Sequence, residues 1–266
     1  MFTDPAKVHR VIHQGETYQL DAIHLCEPSP QRTPVLYQAG TSPRGRVFAG
    51  RHAECVFMSG PSAKIIAPRV AAIRQAAVEA GRAGSDIVIF SIATVVLGET
   101  DAEAEAKFAD YRRYIDHEAS LTLMSGWTGV DFSTYELDQQ VRHVLNDAGR
   151  SAMDNVTRAD PDRVWTVREV AEHIGIGGIG PVFVGGPAKV ADAIEQWVGQ
   201  TGVDGLNLAF ALSPESFADV ADMLVPELTR RGRYKKEYQP GTLREKMFGA
   251  GRARLAAPHP AASYRP

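Results

Sequence analysis

The chain has 266 residues, 44% of them apolar, which is enough to bury a sizeable core and excludes a disordered or low-complexity segment. Its 29 basic and 32 acidic residues are spread along the sequence and nearly cancel, so there is no electrostatic footprint for nucleic acid or an anionic membrane surface. The two cysteines, Cys26 and Cys55, form neither a disulfide framework nor a CxxC pair; they read as small buried hydrophobes and fit a reducing cytoplasm.

The N-terminal stretch "MFTDPAKVHRVIHQG" carries charge and turn residues where a signal peptide needs an apolar centre. No later stretch reaches the roughly 18 uninterrupted apolar residues of a membrane-spanning helix. Beyond it, short apolar and β-branched runs alternate with helical patterns. "TPVLYQAG" precedes "PRGRVFAGRHA", and "ECVFMSG" precedes "SAKIIAPRVAAIRQAAVEAGR". "DIVIFSIATVVLG" precedes "DAEAEAKFADYRRYI", and "DGLNLAFAL" precedes "PESFADVADMLVPELTRR". Strand runs that alternate with helices predict βα units on a parallel sheet. Asp101, Glu103 and Glu105 fall in a helix's first turn, where carboxylates meet the positive end of the dipole; they read as helix-start residues rather than as a catalytic pair.

The third unit is interrupted by a long excursion, about 123–180. "TVREVAEHIG" in it reads as helix, while "SGWTGVDFSTY" mixes Gly, Ser, Thr and aromatics and reads as a loop over a site. "PVFVGGPAKVADAIEQWVGQTGV" then supplies a short strand, a turn with Pro187 at a first helical position, and an amphipathic helix. From Tyr234 the periodicity is lost and basic residues and prolines accumulate. The expected organisation is therefore a body over 1–233 and an extended arm over 234–266 that makes an intersubunit contact.

In a parallel α/β fold, ligands gather at the carboxyl ends of strands, where the following helices point their N–H groups. Gly40, Thr41 and Ser42 occupy such a place in "YQAGTSPRG". Gly40 allows close backbone approach, the hydroxyls of Thr41 and Ser42 suit a phosphate, and Arg44 adds charge. From spacing alone, Thr41 or Ser42 merely capping the helix is the better reading of these hydroxyls. "GIGGIG", with glycines at 175, 177 and 180, matches GxGxxG by letter, yet a helix precedes it and a strand follows, so it reads as a helix stop and connection. The histidines show no HxH or HExxH spacing and no metal site is indicated. His173 lies where it reaches a pocket or simply favours a helix C-terminus.

Three stretches carry a resemblance: "CEPSPQRTPVLYQAGTSPRGRVFAGRHAECVFMSG", "SGWTGVDFSTYELD" and "GPVFVGGPAKVADAIEQWV". Together they resemble the flavin-dependent monooxygenases of the bacterial luciferase-like superfamily. The branch resembled includes the oxygenase components of nitrilotriacetate monooxygenase and pristinamycin synthase, and dibenzothiophene-sulfone monooxygenase. The resemblance implies a (βα)8 TIM-barrel type fold. It also implies reduced FMN supplied by a separate NAD(P)H:flavin reductase, and insertion of one oxygen atom of O2 into a small organic substrate. It makes Gly40, Thr41 and Ser42 phosphate contacts, turns Phe57 and Ser59 toward a substrate pocket, and places Trp127 in the segment that covers it. It further implies that this chain carries only the second half of the barrel, strands 5 to 8, with the excursion and the arm. A barrel closed by eight strands is not closed by four, so open edges and an exposed apolar inner face are expected, along with a homo-oligomer or a complementing N-terminal half. The alternative is a catalytically inactive half-barrel that binds flavin phosphate or a partner chain.

Overall fold

The computed structural model describes residues 3–144, 150–176 and 178–263. An antiparallel hairpin, β1 (Arg10–Gln14) and β2 (Gln19–Ile23), opens the chain, and every residue of both strands is exposed. The sequence hides this hairpin because neither face is buried, so there is no apolar alternation to read.

The apolar runs form one parallel sheet of five strands. These are β3 (Tyr37–Ala39), β4 (Cys55–Met58), β5 (Val88–Leu97), β6 (Val182–Gly185) and β7 (Gly205–Ala209). The long strand β5 is its centre. Phe90 and Ser91 pair with both β4 and β7, and Thr94 pairs with both β6 and β7. A residue has one neighbour on each side, so β4 and β6 lie end to end along one edge of β5 and β7 lies along the other. Each of the first three parallel strands feeds a helix as expected: α1 (Pro43–His52), α2 (Ala63–Glu79) and α3 (Asp101–Arg112). Thr100, rather than Asp101, caps α3, and Asp101 accepts the Gly186 N–H at 2.7 Å, tying α3 to the turn after β6.

Strand register sorts the side chains into two faces. Val56, Met58 and Ile89 are buried against Ile66, Val70 and Ile73 of α2 and Trp197 of α7 (Pro187–Thr201). There the Trp197 indole N–H donates to Ser91 Oγ at 2.9 Å. The other face carries Tyr37, Phe57 and Phe90, brought into line by the pairs Ala39↔Phe57 and Phe57↔Phe90. Phe57 and Phe90 are half-buried and Tyr37 is 54% exposed. The outer strands β3 and β7 do not pair with each other, so the sheet is open among the described residues.

The excursion is helical at Trp127, which corrects the loop expected there. It holds α4 (His117–Thr128), α5 (Arg150–Asn155) and α6 (Val167–Gly175). Met124, Phe132, Met153, Trp165, Val167 and Val170 pack into a second core beneath it. Trp127 sits in the last turn of α4, just before the left-handed C-cap Gly129, and is 37% exposed. Loop-like composition misleads here because Ser125 and Thr128 return their hydroxyls to the carbonyls of Leu121 and Met124, which holds them inside a helix.

In "GIGGIG", Gly175 ends α6, Gly177 lies outside the described residues, and Gly180 leads into β6. A Cβ on Gly180 would stand 2.6 Å from Ile92 Cγ2 and 2.7 Å from the Ile92 carbonyl oxygen. The motif is thus a close packing of the connection on β5. Backbone cannot yield as a side chain tip does, so Gly180→Ala is expected to cost about 1–3 kcal/mol, read as a lowered urea midpoint; an unchanged midpoint would contradict the contact.

After β7 come α8 (Glu215–Asp219) and α9 (Val225–Arg230), joined by a π-turn over Val220–Leu224. The tail is not simply extended. Thr242 caps α10 (Leu243–Phe248) in a capping box with Glu245, and Arg244 in that helix is 2% exposed. Cys55 is buried as expected, whereas Cys26 is exposed. No helix among the described residues is long and apolar enough to cross a membrane.

Candidate functional site

The turn between β3 and α1 is built by three residues with different tasks. Gly40 has φ +121, a conformation that side chains rarely adopt, so the strand can turn sharply there. Ser42 takes the capping role: its Oγ accepts the Gly45 N–H at 3.1 Å and its carbonyl accepts the Arg46 N–H at 2.9 Å. Pro43 has no N–H, so little of the first turn of α1 remains free for an anion. Thr41 is the half-buried member, and its Oγ1 lies 3.5 Å from Ser151 Oγ on α5. Gly40 and Ser42 are themselves exposed.

Helix α5 therefore lies over the carboxyl ends of β3 and β4. The chain after it is fastened to the start of α2, where Ser62 Oγ donates to Asp160 at 3.3 Å and Lys64 Nζ pairs with Asp162 at 2.6 Å. On α5 itself, Met153 is buried in the second core, while Ser151, Asp154 and Asn155 share the opposite, polar face.

The positive charge at this place comes from residues that spacing did not indicate. Arg44 is exposed. Arg69, on α2, is half-buried and donates to the Ser59 carbonyl at 3.0 Å, which sets its guanidinium at the end of β4. Burial lowers the pKa of Arg69, the Asp154 carboxylate opposes that shift, and the charge of half-buried Arg46 adds to it. Arg46, Arg69 and Asp154 are thus electrostatic neighbours beside Thr41 and Ser151. Asp154 is itself paired with Arg158 at 2.7 Å and approaches His143 Nδ1 at 3.7 Å.

Of the residues expected at the pocket, Ser59 joins this group through its carbonyl, and Phe57 stands on the partly open face of the sheet two residues earlier in the chain. Beside Phe57, Tyr37 and Phe90 stack with ring centroids 6.2 Å apart. The Tyr37 phenol is pushed up to about 12, chiefly by burial and then by Cys55, and the Cys55 thiol to about 11 by burial, so both stay neutral. No hydrogen bond or ring contact joins Trp127 to these groups. His173 is held in the excursion, its ring edge-on to Trp165 with centroids 5.3 Å apart. No group of three or more His, Cys, Asp or Glu side chains among the described residues is placed to hold a metal ion. A surface cleft lies elsewhere, between Ser29–Gln31 and the tail around Thr242, and contains none of these residues.

Comparison with known proteins places the chain in a family. Residues 6–205 match the model of the luciferase-like monooxygenases. The chain is 46% identical to the dimethyl-sulfide monooxygenase of Hyphomicrobium sulfonivorans, over 100% of this chain and 55% of that protein. It is 39% identical to the long-chain alkane monooxygenase of Geobacillus thermodenitrificans, over 100% of this chain and 56% of that protein. The crystal structure of the riboflavin lyase RcaE with modified FMN and riboflavin superposes with a TM-score of 0.85 at 33% identity, covering 100% of this chain and 58% of that one.

The parallel sheet, with a helix after each of its first three strands, defines an α/β fold. The chain belongs to the luciferase-like monooxygenase family, and it spans little more than half the length of the relatives it matches.

Proposed function

We propose that this chain is the phosphate-holding portion of a monooxygenase that uses reduced FMN and O2 to oxygenate a small organic substrate. The reading is carried by the convergence of the Thr41 and Ser151 hydroxyls with Arg69 and Arg46 at the ends of β3 and β4. These groups suit a dianionic phosphate: hydroxyls donate to its oxygens, and guanidinium groups offset its charge in a partly dry place. Gly40 lets the backbone come close, and Ser42 keeps the start of α1 in position while its own O–H stays available to donate.

When bound, reduced FMN supplies the electrons that activate oxygen. The chain's residues bind, orient and exclude water. Phe57, with Tyr37 and Phe90, offers an apolar wall for a flat ring or an apolar substrate, Ser59 fixes Arg69, and the excursion with Trp127 on α4 covers the carboxyl end of the sheet. A separate NAD(P)H:flavin reductase delivers the reduced cofactor in this scheme.

The test is a fluorescence titration of the chain with FMN, followed by oxygen uptake with a flavin reductase, NADH and a candidate substrate. FMN binding is expected, and Thr41→Val is expected to weaken it about ten-fold. Failure of the unaltered chain to bind FMN would remove this reading. The open sheet and exposed Tyr37 favour a second one: the chain holds the flavin phosphate but turns over only when further polypeptide, covalently continuous or from another chain, covers that face. Flavin binding without substrate-dependent oxygen uptake would select it.

A further inference from the structure

The side chain of Asn155 has no stated task in the fold. It is 1% exposed, and among the described residues neither its Nδ2 nor its Oδ1 has a hydrogen-bond partner. A buried amide of this kind costs stability unless something satisfies it, and most buried side-chain amides are satisfied. Its place in the helix says where it points. Asn155 follows Ser151 by four residues in α5, so both lie on one face, and Ser151 Oγ is 3.5 Å from Thr41 Oγ1. The apolar positions of α5 and the turn after it, Met153 and Val156, point the other way, into the excursion's core. Asp154, beside Asn155, acts on Arg69, whose guanidinium is fixed on the Ser59 carbonyl. Helical spacing thus sets Asn155 on the face of α5 that Ser151 turns toward Thr41, next to the Asp154 that acts on Arg69, with its amide N–H groups and carbonyl unspent.

We propose that the Asn155 amide is a ligand of the phosphate group held at the Thr41 turn, donating from Nδ2 to a phosphate oxygen, so that the excursion closes the site through α5. This inference rests on the FMN reading above and adds a positioning role for a helix that is distant in sequence from the turn. It also assigns a cost to the free protein: an unsatisfied amide is kept buried until the ligand arrives. Thr41 and Ser151 hold each other in the meantime, whereas Asn155 has no such substitute.

The experiment uses Asn155→Leu, which is close in volume and removes the polar atoms, beside Thr41→Val in the full chain. Three quantities are read: FMN affinity, riboflavin affinity, and the melting temperature of the ligand-free protein. Asn155→Leu is expected to raise the melting temperature, because an unpaired buried amide is lost, and to weaken FMN binding about ten-fold while leaving riboflavin, which lacks the phosphate, unchanged. A lowered melting temperature would show that the amide is satisfied within the protein and overturn the proposal. So would unchanged FMN affinity in Asn155→Leu when Thr41→Val weakens it. An equal loss for riboflavin would overturn the phosphate assignment. If Thr41→Val also leaves FMN affinity unchanged, or the unaltered chain binds no FMN, the reading beneath the proposal fails together with it.

Discussion

Replacing Arg244 by Ala is expected to cost about 3–5 kcal/mol of stability. The guanidinium is 2% exposed and grips Glu54, itself 4% exposed, with Nε 2.7 Å from Oε1 and Nη2 3.0 Å from Oε2. Its remaining N–H groups donate to the carbonyls of Gln31, Thr33, Pro34 and Ala253, between 2.8 and 3.3 Å. Glu54 in turn accepts the Leu36 N–H at 3.0 Å. One side chain of α10 thereby fastens the C-terminal segment to the chain entering β3 and to the residue before β4. Truncation leaves a carboxylate buried without its counter-charge and several carbonyls unpaired, which is why the loss exceeds the net worth of the pair. Urea unfolding monitored by tryptophan fluorescence measures it. Adding Glu54→Gln to Arg244→Met should recover part of the loss, since the lone charge is then gone; a single-variant loss below about 1 kcal/mol would show that the tail does not depend on this contact.

Nothing near Arg244 in sequence announces that role. It stands in "TLREKMF", inside a basic, proline-containing tail, and its main partner is 190 residues earlier. The strands and the helices after them are legible because their signals are local: β-branched runs, Pro43 and Pro187 at helix starts, and the spacing of Ile65, Ile66, Val70 and Ile73 on α2. Thr41 and Ser42 are legible as a strand-to-helix turn but not in their division of labour, since which hydroxyl caps depends on where α1 starts. Ser151, Asn155 and Arg69 are not legible at all. Ser151 meets Thr41 only once α5 lies across the end of β3, and Arg69 reaches the Ser59 carbonyl through a contact between α2 and the end of β4; no periodicity encodes either placement. Trp127 misleads in the other direction, because Gly126 and its hydroxyl neighbours read as loop while serine and threonine back-bonding keeps them helical.

Acidification from pH 7.5 to pH 5.0 is expected to remove about 2 kcal/mol of stability through His173 alone. Burial is the largest cause of its shift and the charge of Arg163 the next; together they lower its pKa from the ordinary 6.5 to about 4, against a weaker opposing contact with the Gly180 backbone. Arg163 sits over the Trp165 ring at 3.5 Å, and that same ring meets the imidazole edge-on, so the cation and the histidine share one wall. The imidazole Nε2 is buried with no hydrogen-bond partner among the described residues. In the unfolded chain the group titrates near its ordinary value. Between pH 6.5 and pH 4 the unfolded state therefore takes up a proton that the folded state refuses, and the equilibrium moves toward unfolding as pH falls. The carboxylates held low by their partners, Glu227 at about 2 among them, contribute in the same direction, but only as pH falls through the ordinary carboxylate range and below. His52, lowered chiefly by burial, acts in the same direction, so the effect is separable only by substitution. Unfolding free energies of the unaltered chain and of His173→Leu at both pH values provide that separation. The substituted protein should lose markedly less on acidification, and an equal loss in both would show that His173 is already protonated in the fold or open to water.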